Sequence, residues 1–139
     1  MSKTQTLTDF RIAPVVYSDF FTDFSRHVNT GQLNRKTNEN AVKQSIRNLL
    51  LTDHYERPFQ PQIGSNLRAL LFENFTQATQ IQVEQHVKEV FANHEPRAEL
   101  VGVHVTPNSD AHSMGVSIYF RIINTTEPAQ LDLLIERKR

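Results

Sequence analysis

The chain has 139 residues, 38% of them hydrophobic and 22% charged, which suits one globular domain with a polar surface. Fifteen basic residues balance fifteen acidic ones, so no net field draws the chain to nucleic acid or to an acidic membrane. Having no cysteine, it is excluded from disulfides, thiolate metal sites and cysteine nucleophiles, and no run approaches the roughly 18 apolar residues of a spanning helix.

Met1 to Asp9 is polar and has no apolar signal-like core, so cytoplasmic synthesis without secretion is expected. Residues 1–14 read as a flexible arm and residues 15–139 as a single domain. Val15, Val16, Tyr17, Phe20, Phe21 and Phe24 crowd the start of that domain, with Val15–Tyr17 as a short edge strand. Thr30-Gly31 signals a turn. A helix follows over about 39–51. Asn38 is placed to cap it, and Ala41, Val42, Ile46, Leu49 and Leu50 form its apolar stripe.

The stretch from Asp53 to Phe72 is a polar loop feeding an apolar helix. Pro58 and Pro61 fix two φ angles, Gly64 permits a sharp turn, and Ser65 or Asn66 caps a second helix carrying Leu67, Leu70, Leu71 and Phe75. In this reading Phe59 and that helix anchor the loop to the core. Glu56 and Arg57 fix its path by ion pairing, which makes Glu56, Arg57, Pro58, Phe59, Pro61 and Gly64 a structural joint. The stripe changes phase near residues 74–76, where Asn74 or Thr76 can cap a third helix over about 77–93. That helix turns Thr79, Val83, Val87, Val90 and Phe91 inward, and Pro96 ends it.

Period-2 alternation then predicts three strands, over about 99–106, 114–124 and 129–137. Val101, Val103 and Val105 share one face of the first, Val116, Ile118, Phe120 and Ile122 one face of the second, and Leu131, Leu133 and Ile135 one face of the third. Pairing Asn124 with Ala129 would set Arg121 opposite Asp132 and Phe120 opposite Leu133. The fold class is therefore α+β: an extended N-terminal segment and about three helices on a C-terminal three-stranded antiparallel sheet. Glu136-Arg137-Lys138-Arg139 would shield the last strand's edge by charge, unless that edge accepts a strand from another chain.

Chemistry finds little support. Asp53, Glu56 and Glu73 are the carboxylates a glycosidase would recruit, yet nothing in the sequence sets one across a cleft from another. His86 and His94 lie two helical turns apart, and His104 and His112 flank a hairpin loop without an acidic third ligand. No catalytic residue, metal or cofactor is assigned, and the protein is read as a non-enzyme. Two clusters join charge to proline: Glu56-Arg57-Pro58-Phe59, and Glu95-Pro96-Arg97 after the third helix. An internal ion pair or an interface contact would each suit the second.

Tyr17-Ser-Asp-Phe20, the Thr30-Gly31 turn, Asn40 to Leu50, Tyr55-Glu-Arg-Pro-Phe-Gln-Pro61 with Ile63-Gly64, Leu70-Leu-Phe-Glu-Asn74 and Glu95-Pro96-Arg97 occur in an order that resembles the baseplate wedge subunit of contractile-tailed phages. That family is also called the sheath initiator, is labelled lysozyme-like, and has a similar component in type VI secretion baseplates. The resemblance spans about residues 15–137. It implies a virion structural protein that docks on a helical core bundle of other wedge proteins through Glu95, Pro96 and Arg97. It further implies that Leu131, Asp132, Leu133, Leu134 and Ile135 serve as a template strand for the tail sheath protein, with central hub or tail tube proteins as further neighbours. The alternative is a carboxylate glycosidase acting on peptidoglycan through Glu56 or Glu73.

Overall fold

A computed structural model describes residues 15–108 and 113–136. The proposed arm over 1–14, His112 and the basic end Arg137–Arg139 lie outside the described residues. The element order is β1 (Ser18–Phe20), β2 (Arg35–Thr37), α1 (Asn38–Leu51), α2 (Leu67–Leu70), α3 (Gln77–His94), β3 (Ala98–Asn108), β4 (Ser113–Ile122) and β5 (Pro128–Glu136). The α+β class therefore holds, with β3, β4 and β5 forming an antiparallel meander in that order.

One apolar cluster holds the two halves together. It gathers Val42, Ile46 and Leu50 of α1, Leu67 and Leu70 of α2, and Val83, Val87, Val90 and Phe91 of α3. These pack on the inward rows of the sheet, Val116, Ile118, Phe120 and Ile122 from β4 and Leu131, Leu133 and Ile135 from β5. Phe91 meets Phe120 in a tilted pair with centroids 5.9 Å apart, joining α3 to the central strand. The inward residues of α1, α3, β4 and β5 are those that the sequence periodicities select. For α3 the cap is Thr76, whose hydroxyl accepts from Thr79 N–H within a reciprocal capping box.

Five details depart from the sequence reading. The N-terminal strand is Ser18–Phe20, not Val15–Tyr17, because its partner is β2 in the register Ser18–Thr37, Asp19–Lys36, Phe20–Arg35. Asn38 does not cap α1. Its side-chain oxygen instead accepts from the amides of Val16 and Tyr17, its φ is +49°, and Thr37 holds the N-cap position without a side-chain bond. The second helix is a single turn that ends before Phe75. Ser65, read as a cap, sends its hydroxyl to the Leu50 carbonyl at 2.7 Å. Val101 is 66% exposed, because a bulge between Leu100 and Gly102 reverses the alternation and leaves Val103 and Val105 on the inner side.

The fifth departure is the register of β4 and β5. Phe120 pairs with Ala129, Ser117 with Asp132 and Val116 with Leu133, four residues away from the expected pairing. β4 parts from β5 after Arg121, where a turn from Ile122 to Thr125 places Asn124 at φ +71°, while on its other side Ile123 N–H still bonds the Arg97 carbonyl. An offset of four keeps every side chain on its own face, so the burial pattern is unchanged. Arg121 faces Glu99 instead, at 2.6 Å across β3.

Candidate functional site

The Glu95–Pro96–Arg97 turn joins α3 to β3. Glu95 closes the helix with its amide on the Phe91 carbonyl, and Ala98 N–H bonds back to the Glu95 carbonyl, with Pro96 at the second position of the turn. The Glu95 side chain is 1% exposed, and Arg97 grips it in a fork: Nε donates to Oε1 at 2.6 Å and Nη2 to Oε2 at 3.0 Å. The third arm of the guanidinium, Nη1, donates to both oxygens of Asp19, at 3.3 and 3.2 Å. Its plane lies over the Tyr17 ring at 5.6 Å. The Glu95 hydrogen bond first, and then the charges of Glu95 and Asp19, hold Arg97 above its ordinary value against the opposing cost of desolvation. Arg97 stays cationic at any accessible pH.

The turn thus offers outward an exposed Pro96, the open flank of Arg97 and a partly exposed Asp19, all braced from beneath by buried Glu95. Asp19 and Tyr17 are neighbours of Arg97 that sequence reasoning did not connect to it. They lie 78 and 80 positions before Arg97, and nothing local to either segment ties them together.

The loop over 53–65 is built as a narrow-necked projection. Ser65 N–H bonds the Thr52 carbonyl, Tyr55 N–H bonds the Pro61 carbonyl, and His54 Nε2 reaches the Gly64 carbonyl at 3.1 Å. Gly64 has φ +128°, and a Cβ there would run into the Thr52 carbonyl oxygen, so the neck requires glycine. The joint residues Pro58, Pro61 and Gly64 stand where a stiff connection needs them. Phe59 does not anchor the loop: it is 100% exposed at φ +68°, thrown outward by the turn that Pro58 opens. Nor does Glu56 pair with Arg57. Its carboxylate accepts from Asp53 N–H at 3.0 Å, and the ion pair of this region is Asp53–Arg68 at 3.4 Å.

The remaining candidates stay apart. Glu73 lines a groove between the α2–α3 turn and the ends of β3 and β4, beside Leu70, Phe75, Pro107 and Met114, and it is the one carboxylate among the described lining residues. His54, His86 and His94 border a small cavity together with Glu89, with His86 Nδ1 lying 3.7 Å from Glu89. No group of three or more His, Asp or Glu side chains among the described residues is arranged to hold a metal ion. The Leu131–Ile135 segment forms the middle of β5, an edge strand whose inward residues are buried and whose Leu134 is 61% exposed on the outer face.

Residues 36–127 match the sequence profile of the family described as "Baseplate wedge protein gp25". The "Baseplate wedge protein gp25" of Enterobacteria phage T4 is 30% identical over 112 residues, covering 81% of this chain and 84% of that one. The chain belongs to the baseplate wedge protein gp25 family. It is a structural protein of the virion tail baseplate. The crystal structure of a putative tail lysozyme from Geobacter sulfurreducens is similar in fold, at TM-score 0.63 and 28% identity, covering 70% of this chain and 89% of that one. A chain of the anti-feeding prophage baseplate shares the fold at TM-score 0.61 and 21% identity, covering 85% and 83%. Membership accounts for the α+β frame. Which surfaces of this gp25-family protein meet which partners is a separate matter.

Proposed function

We propose that this protein docks in the wedge of a contractile tail through the Glu95–Pro96–Arg97 corner and initiates the sheath by offering β5 as a template strand. The observation that carries the second half is an asymmetry between the two edges of the sheet. β3 is interrupted by the bulge at Leu100/Gly102, and Pro107 near its end has no N–H to donate. β5 runs from Pro128 to Glu136 in unbroken register with β4, and no other strand covers its far side among the described residues. Unpaired N–H and C=O groups on a straight edge are what an incoming extended segment needs. The docking half rests on a turn whose cation is fixed in direction by a buried carboxylate, so little side-chain freedom is lost on contact.

Hydrogen exchange on the protein mixed with tail sheath protein tests the template role. Amides of 131–135 are expected to gain protection while those of β3 do not. Protection of β3 instead, or of neither edge, would overturn it. The glycosidase alternative lacks a second carboxylate across the Glu73 groove among the described residues. A peptidoglycan-release assay of wild type against Glu56→Gln and Glu73→Gln is expected to show no carboxylate-dependent turnover.

A further inference from the structure

Two consecutive tight turns make the outer part of the 53–65 loop. Glu56 N–H bonds the Asp53 carbonyl and Gln60 N–H bonds the Arg57 carbonyl, so Tyr55 and Phe59 each occupy the third position of a turn, both at φ +68°. A turn with positive φ at that position ordinarily takes glycine or asparagine. The same chain follows this preference elsewhere, placing Asn124 at φ +71° in the turn after β4. Here the position is given twice to a large ring, and both rings point into solvent: Tyr55 is 84% exposed and Phe59 100%. Neither backbone strain nor exposed aromatic surface helps the isolated chain fold.

The loop is also stiff and its charges are unequal. Two prolines, the closed neck at Gly64 and the Tyr55–Pro61 bond pre-set its shape. Asp53 is engaged by Arg68 and Glu56 by the Asp53 amide, whereas the Arg57 guanidinium has no hydrogen-bond or ion-pair partner among the described residues. The tip therefore shows one unanswered cation between two rings. Tyrosine, arginine and a second aromatic on a pre-organised support is the composition of an interface hot spot.

We infer that the tip of this loop is a docking knob, Tyr55 and Phe59 entering an apolar socket with an acidic rim on a neighbouring baseplate protein. A convex tip fits a concave protein surface. A lone cation is too little charge to hold an anionic membrane or a nucleic-acid strand. The inference rests on the baseplate docking proposed above but uses a surface separate from the Glu95–Arg97 corner.

The test co-produces the full chain with the other wedge proteins of its tail and compares wild type, Tyr55→Asn/Phe59→Asn and Arg57→Glu. Asparagine suits the left-handed turn position, so the double variant should melt at the wild-type temperature or a few degrees above it. Incorporation of both variants into the wedge should weaken about tenfold or more. A double variant that melts lower would show that the rings serve the fold, and one that incorporates like wild type would remove the knob. Normal incorporation of Arg57→Glu would remove the acidic rim. Wild type that does not join the wedge overturns both readings, whereas wild type joined by an equally competent double variant overturns only this one. Binding to anionic vesicles or duplex DNA that the double variant loses would replace the socket with those ligands.

Discussion

Arg97 serves two ends that no single substitution separates. Its fork neutralises a carboxylate that is almost wholly buried, and its open flank is part of the surface proposed to meet the wedge. Arg97→Ala leaves Glu95 charged and unpaired in the interior, at a cost of about 3 kcal/mol in chemical denaturation. Glu95→Leu/Arg97→Met removes both charges and should recover most of that loss. If the partner reads the guanidinium, the double variant folds well and still fails to enter the wedge. Recovery of assembly along with stability would make the pair purely structural. Asp132 gives a different test, through pH. Hydrogen bonds from Gln130 and then Ser117, with the charge of Lys43, lower its pKa below the ordinary 3.8. A depressed carboxylate stabilises the fold above its unfolded pKa, and that contribution is lost as pH falls through the folded one. The gap in urea midpoint between wild type and Asp132→Asn should therefore be present at pH 7 and shrink as pH falls below the ordinary carboxylate range.

At the scale of elements, the loop neck is where one atom decides. Gly64→Ala forces a Cβ against the Thr52 carbonyl at a φ that L residues rarely adopt, and should cost about 2 kcal/mol or more in thermal or urea unfolding. The same neck explains what was legible in the sequence. Gly64, Pro58 and Pro61 announce themselves because backbone constraint belongs to the residue type. Phe59 misled, because hydrophobicity predicts burial only on average and says nothing about a turn that throws the ring outward. Helices and strands were readable from their periods, since α3 and β4 bury the residues that spacing selects. The hairpin register was not readable. Every even slip preserves the alternation, and the observed one goes with a turn over Ile122 to Thr125 that no period marks. The partnership of Arg97 with Asp19 was hidden for the same reason: it is made by the fold.

For the molecule as a whole, the proposed function asks helices and sheet to behave as one body, because docking at the α3–β3 corner must fix the direction of the strand at the far edge of the sheet. The core is arranged for this. Phe120, 0% exposed at the centre of β4, meets Phe91 of α3, and the cluster around them includes residues of all three helices and all three long strands. Among the described residues no apolar boundary separates a helical unit from a sheet unit. Phe120→Ala opens a cavity between the layers and should cost about 3–5 kcal/mol. The loss should lower helix and sheet stability together, so that far-ultraviolet helix signal and amide exchange of β4 report one midpoint in wild type and one shifted midpoint in the variant. Two midpoints that separate in the variant would mean that the layers unfold independently. The strand proposed as a sheath template would then be held in place locally, by β4, and the rest of the molecule would not set its direction.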